Sequence, residues 1–572
     1  MDRLRRPESF DDVHAEGLFR GTTALQILQN RGIIFAHGLE GLLGAGGFRP
    51  QKIPTKQEVL EAGARIFDNT SCAEHVNVFV SHCWGSKRWA KYLALCLYLN
   101  FTAAVVCALG TWVAAVTVML VFGGNFATSH RFNLLSFSIV VYLPTAVFFV
   151  VFFLGHHVLH RFRPISLWVD RACVHQTDDE LKRRQIQALP VFVARSSSML
   201  VLWDDSYFQR LWCQLELATF AKYGGAAKVQ FQPLWLAPWL LSALALDLAV
   251  ATSWNIIFYW VPKATLTSTS SAVLPTLVLE SPFAPLVEGM VFTTTNAIAL
   301  GVLASIPWTY SCKKKLRNHA LMLEQMAAFD CRAAQCTVEA DRILVELQVR
   351  QLFSSPEKED EADLTSSSHP LSPRSLPSVH GVSSCDSRAL DDFNAFIRGP
   401  LRSTVLESVG GEMHVPYGMC LSASLPMIFW SVSDILQYCH CGVGDGLRSC
   451  AAPLIIGWVI NILLVLPIVY PVFLRMLKCA LAVRSEWLQL ILSALSGIVT
   501  FCHSSNCQGV AFVLPTLGVQ DTATRWVGFT FLAFLLLQIS CLFGNSGILP
   551  APAAAPETGN DGTYRRLHTA DT

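Results

Sequence analysis

The sequence predicts a helical membrane protein that carries a small parallel α/β module, and three observations predict it. Of 572 residues, 52% are hydrophobic and only 15% are charged, whereas a soluble domain usually carries about a quarter charged residues. Eight apolar runs each approach the roughly 20 residues that a helix needs to cross a bilayer core. Between the runs, short β-rich stretches alternate with amphipathic helices, the pattern of a parallel sheet covered by helices.

The runs lie near 97–122, 134–154, 234–261, 286–308, 417–438, 451–474, 487–502 and 526–543. Charge orders them. Lys87, Arg88 and Lys91 precede the first run, Arg161 and Arg163 follow the second, and Lys313, Lys314, Lys315 and Arg317 follow the fourth. Arg475, Lys478 and Arg484 follow the sixth, and Arg565 and Arg566 follow the last. The alternate loops hold only Arg131, Lys263, Arg448 and Arg525. Positive charge on one side throughout predicts a multi-pass protein with both termini in the cytoplasm. The charged first residues, MDRLRRPESFDDVHAEG, have no apolar core and give no secretory signal peptide. A net charge of +1 argues against a nucleic-acid partner and leaves the lipid bilayer as the expected one.

The 18 cysteines are too thinly spread for a small disulfide scaffold. Cys439, Cys441, Cys450, Cys502 and Cys507 fall near the lightly charged loops, where an oxidising compartment would allow one or two disulfides. Cys439-His440-Cys441 has metal-ligand residue types, but adjacent residues seldom fit one tetrahedral site, so no metal is assigned.

The expected organisation is an N-terminal cytoplasmic segment (1–69), a module split between 70–91 and 162–228, and a membrane hairpin (92–161) inserted into it. A second hairpin (229–310), a helical segment (311–353), a Ser/Pro/acid-rich disordered linker (354–390), another helix (391–416), a four-helix membrane region (417–548) and a disordered tail (549–572) follow. Within the module, HVNVFVS reads as a strand over 75–81, followed by a helix from Lys87 that continues into the first span. A second strand covers 165–169. The next helix carries Asp178, Asp179 and Glu180 at its positive end, and Pro190 should break it. A third strand at 198–203 leads into FQRLWCQLELATFAKY.

Phe79-Val80-Ser81-His82, Trp168-Val169-Asp170, Leu200-Val201-Leu202, Tyr207 and Trp212-Cys213-x-x-Glu216-Leu217 resemble a TIR domain, in the order that TIR domains use. The same stretch is similar to the heterokaryon-incompatibility (HET) domain through Ser81-His82-Cys83-Trp84-Gly85 and Trp168-Val169-Asp170-x-x-Cys173-Val174-x-Gln176. The resemblance covers about a sixth of the chain. It departs from the pattern in the inserted hairpin and in the absent glycine after Asp170. It implies a flavodoxin-like fold that self-associates in signalling or cleaves the nicotinamide–ribose bond of NAD. NAD is then the substrate, with no bound cofactor, and Glu216 occupies the position of the catalytic glutamate.

A carboxylate suits that reaction because departure of nicotinamide leaves positive charge on the ribose carbon. Trp212 shares a helix face with Glu216 and could form a pocket wall. Trp84, at the end of the first strand, stands where α/β folds open their ligand crevice. His82 reads either as a phosphate contact or as a core histidine, and Asp170 either as a site acid or as a turn cap. Asp247, in the middle of the third span, is costly there and marks either an ion pathway or a hydrogen-bonded acid. The leading expectation is a membrane signalling protein with a TIR/HET-like module. The competing one is a channel or transporter with the module as a regulatory appendage.

Overall fold

A computed structural model describes residues 10–48, 54–122, 136–162, 164–260, 284–336, 339–353, 385–432, 447–517 and 522–543. Six strands form one mixed sheet: β1 (Arg20–Thr23), β2 (Ser71–Cys72), β3 (Val76–His82), β4 (Ser166–Trp168), β5 (Ser196–Trp203) and β6 (Val229–Pro233), in the order β2-β1-β4-β3-β5-β6. β4, β3, β5 and β6 run parallel, whereas β1 joins β4, and β2 joins β1, antiparallel. All residues of β3 except Asn77 are buried, as expected of a strand covered on both faces.

The three strands read from the sequence are β3, β4 and β5, the centre of the sheet. β6 lies just beyond the expected end of the module, and β1 comes from the segment expected to stand apart from it. Thr23, at the end of β1, caps the next helix in a reciprocal box with Gln26. Pro190 acts as expected: helix Asp179–Gln187 stops, and Leu189–Ala194 starts with Pro190 in its first turn. Asp178 caps the first of these, accepting from the Glu180 and Leu181 amides at 3.1 and 3.0 Å.

The inserted hairpin enters after β3 and returns to β4, its parallel neighbour. A parallel pair needs a long crossover in any case, so two long helices replace the usual single one without disturbing the register. The first, Arg88–Phe122, runs 35 residues without a break. It packs on Leu143–Phe162, where the buried Asn100 donates to the Phe152 carbonyl at 2.9 Å. Among the described residues, six helices are long and apolar enough to cross a membrane: Arg88–Val121, Ser138–Phe162, Leu236–Ile256, Pro453–Leu481, Glu486–Ala511 and Arg525–Phe543. The fourth expected run falls in the 44-residue helix Ala284–Ala327. The fifth begins in Tyr417–Ala423, and its last residues lie outside the described ones.

The end of the long helix and the helix Glu339–Phe353 dock onto the module. Gln325 donates to the Asp205 carbonyl at 2.7 Å, the Leu211 amide donates to the Gln335 carbonyl at 3.1 Å, and Glu339–Phe353 packs along Leu211–Tyr223.

Candidate functional site at the carboxyl ends of the central strands

The parallel strands β3, β4 and β5 end side by side and deliver His82-Cys83-Trp84, Asp170 and Asp204 to one edge of the sheet. Helix Leu211–Tyr223 packs on β3 and brings Glu216 to the same edge. Ser81, near the end of β3, donates to the Glu216 carboxyl at 2.5 Å and lies 2.8 Å from the Tyr207 hydroxyl. Ser81 and Tyr207 are fully buried, and Glu216 is half-buried. Burial pushes the Glu216 carboxyl up to about 8, and the nearby Asp170 charge pushes the same way, against the opposing Ser81 hydrogen bond. At neutral pH the unliganded acid is therefore held largely protonated.

Asp170 is the hub of the second half of the site. The Trp84 indole N–H donates to one of its carboxyl oxygens, and the Arg171 backbone amide donates to the other at 2.6 Å. Burial raises its pKa, while the Trp84 and Arg171 hydrogen bonds and the Arg171 and Lys91 charges pull it down. The Arg171 guanidinium lies 4.6 Å above the Trp84 ring and donates to the Ile34 and Ala36 carbonyls. Gly41 leaves room for it: a Cβ there would stand 2.9 Å from the Arg171 guanidinium and 2.4 Å from the Ala36 carbonyl oxygen.

His82 Nδ1 stands 3.8 Å from the Asp170 carboxyl, within ion-pair range, yet the imidazole is pushed well below its ordinary pKa. Burial is the main cause, and the Lys91 and Arg171 charges add to it. Its Nε2 is buried without a hydrogen-bond partner, and the ring packs edge-on to Phe35 at 5.2 Å. Lys91 is 1% exposed. Its ammonium group reaches the Trp84 carbonyl at 3.5 Å and sits 5.6 Å from the Phe35 ring centre. Ser86 donates to Asp204 at 2.6 Å, and Ser206 donates to the Cys83 sulfur at 3.1 Å.

The structure thus brings Glu216, Asp170, His82 and Trp84 to one edge. Trp84 is 39% exposed, and Trp212 is half-buried against the core one turn before Glu216. Trp168 stacks on Phe79 at 4.4 Å inside the core. Cys83, Cys173 and Cys213 are buried free thiols, and burial pushes Cys173 up to about 12. Sequence reasoning used Ser81 and Tyr207 only as marks of the resemblance and Lys91 only as a charge before the first run, and it did not single out Arg171. Lys91 carried a usable signal, since it precedes Tyr92, Leu95 and Cys96 on a helix whose inward positions are apolar.

The other expected residues lie elsewhere. Asp247 accepts from the Met427 amide at 3.3 Å and lines an enclosed cavity of about 40 Å³ with Ser424, Tyr470, Ser504 and Gln508. Cys439 and Cys441 lie outside the described residues, as does His440, and the Cys450 side chain is not among those described. Cys502 and Cys507 share helix Glu486–Leu517 as free thiols, five positions apart, so their side chains leave the axis in different directions. No protein-family model, curated protein or solved structure matches the chain.

Proposed function

We propose that this chain is a multi-pass membrane signalling protein, with both termini cytoplasmic. Its flavodoxin-like, TIR/HET-like module acts by self-association and by cleaving the nicotinamide–ribose bond of NAD. The observation that carries the reading is the Glu216 carboxyl held 2.5 Å from Ser81 at the carboxyl edge of the parallel strands, where α/β folds bind ligands. Raised carboxyl pKa values at two neighbouring, partly buried acids fit a site awaiting a cation. The cationic nicotinamide would supply one and favour the ionised form of Glu216.

In the proposed reaction the bond between the ribose C1′ and the nicotinamide nitrogen breaks, and its electron pair leaves with nicotinamide, which becomes neutral. Glu216 stabilises the positive ribose carbon, water adds to that carbon, and its proton passes to solvent. Trp84 offers an exposed indole for the nicotinamide ring or the adenine, with its orientation fixed by Asp170 and one face covered by Arg171.

The test is NAD consumption by the full-length protein in nanodiscs, with Glu216→Gln alongside. Release of nicotinamide that falls at least about 100-fold in the variant supports the reading. Equal rates in the two proteins would remove Glu216 from the reaction, and no turnover even when the protein is clustered would leave self-association alone. A second reading, a channel or transporter regulated by the module, draws on the polar cavity beside Asp247. Ion flux that changes in Asp247→Asn and ignores Glu216→Gln would favour it.

A further inference from the structure

A second cavity, of about 320 Å³, opens where the sheet edge meets the membrane helices. β6 forms one wall, and the start of helix Leu236–Trp260 forms another. Lys315 of the long helix and the segment from helix Arg402–Val409 to Met419 close it. Its size is that of a small-molecule site.

Its chemistry is one-sided. Lys315 is 2% exposed, and among the described residues none of the side chains lining the cavity is acidic. Its ammonium group donates to the Glu412 and His414 carbonyls at 2.5 and 2.8 Å, which leaves a third N–H. The Glu412 carboxylate, the acid nearest in sequence to those carbonyls, is paired with Lys478 instead. Trp235 is 6% exposed and lines the cavity, yet its indole N–H has no acceptor. The Gln232 side-chain nitrogen is buried in the same wall, also without a partner. Buried donors in native proteins are nearly always satisfied, and a buried cation ordinarily has an acid beside it. Here a cation and two orphan donors share one cavity, whose remaining lining combines the polar Gln230, Thr404, Ser408 and His414 with apolar residues that include Phe231, Trp239 and Met419.

We propose that this cavity binds an anionic amphiphile, with Lys315, Trp235 and Gln232 holding the anionic head and Phe231, Trp239 and Met419 packing the apolar body. The groups facing Lys315 support this. Burial pushes Lys315 down to about 7, and its titratable neighbours are the Cys312 and Cys420 thiols and the imidazoles of His319 and His414, none of them a carboxylate. A bound anion supplies the missing charge. The site rests on none of the residues proposed for NAD cleavage.

The test is equilibrium binding of radiolabelled octanoate to the full-length protein in phosphatidylcholine nanodiscs, with empty nanodiscs subtracted. Saturable binding is expected, weakened at least tenfold in Lys315→Met and severalfold in Trp235→Phe, which removes the N–H and keeps a ring. Affinity should fall severalfold from pH 6.5 to pH 8.5 as free Lys315 loses its proton. Octanol should fail to compete. Competition by phosphatidic acid placed in the nanodisc identifies the bilayer as the source of the ligand, and its failure to compete identifies a free carboxylate. Octanoate binding that octanol displaces equally well, or that survives unchanged in both variants, overturns the proposal. Trp235→Phe keeps the test decisive if Lys315→Met does not fold.

Discussion

The two polar clusters of this protein solve burial in opposite ways. At the carboxyl edge, acids and cations are mixed: Asp170 faces Trp84, Arg171 and Lys91, and Glu216 faces Ser81. In the cavity below β6, Lys315 stands among backbone carbonyls and orphan donors with no acid in the lining. A mixed cluster is largely satisfied by the protein itself, so removing one member strands the others. A one-sided cluster leaves its balancing charge to something outside the chain, and removing its cation strands two backbone carbonyls but no opposite charge. Stability measurements can therefore tell the two apart without knowledge of any ligand.

The largest expected effect is in the mixed cluster. Asp170→Ala strips the acceptor from the Trp84 indole and the Arg171 amide and removes a negative charge near Lys91 and Arg171, and should cost about 3 kcal/mol. Lys315→Met should change stability by no more than about 1 kcal/mol, because the desolvation cost of the buried charge disappears with it. Denaturation of both variants in the same nanodiscs reads the contrast directly, and equal losses would break it. Ser81→Ala should come next, at about 2 kcal/mol, since it leaves the Glu216 carboxyl and the buried Tyr207 hydroxyl with one partner fewer each.

The third prediction concerns pH. Glu216 titrates near 4.5 when unfolded and near 8 when folded, so the folded state holds an extra proton between those values. Its contribution to stability is full below pH 4.5 and is lost as pH rises towards 8, by at most about 1.4 kcal/mol per pH unit. Melting temperatures from pH 5 to 8 should fall less steeply in Glu216→Gln than in the unsubstituted protein. Matching slopes would place the proton elsewhere. The smallest effect should be that of Trp84→Phe, which removes one donor from Asp170 and costs about 1 kcal/mol, read from the same melting curves.

Much of this architecture was legible in local pattern, and the illegible parts have physical reasons. β3 announced itself through its valines, β5 through the apolar run Met199–Trp203, and β4 through Leu167-Trp168 between turn residues. β1, with the sequence RGTT, has no apolar residue and owes its conformation to its partners β4 and β2. β6, VQFQP, is five residues long and was absorbed into the approach to the third span. At the candidate site, Glu216 was named because the TIR resemblance puts the catalytic glutamate at that position, and Asp170, His82 and Trp84 because they stand at strand ends within the resembling motifs. Ser81 and Tyr207 meet across 126 positions of sequence, and Arg171 reaches carbonyls of the N-terminal segment 137 and 135 positions away. Partners so distant leave no periodicity to read. The Lys315 cavity was equally hidden, since its walls come from three separated stretches and its lysine first appeared only as loop charge.

The unbroken helix Arg88–Phe122 has a mechanical consequence. Its 35 residues make a rod of roughly 52 Å, against a bilayer core of roughly 30 Å. The apolar part starts near residue 97, so the end that carries Lys91 projects roughly 13 Å beyond it and abuts Trp84. Tilting the rod by about 10°, a change that membranes of different thickness impose on spans, would swing that end by roughly 2 Å. A displacement of that size exceeds the slack in any hydrogen bond at the site. Bilayer thickness would then be felt at the strand ends as leverage, with only the five-residue turn 83–87 between.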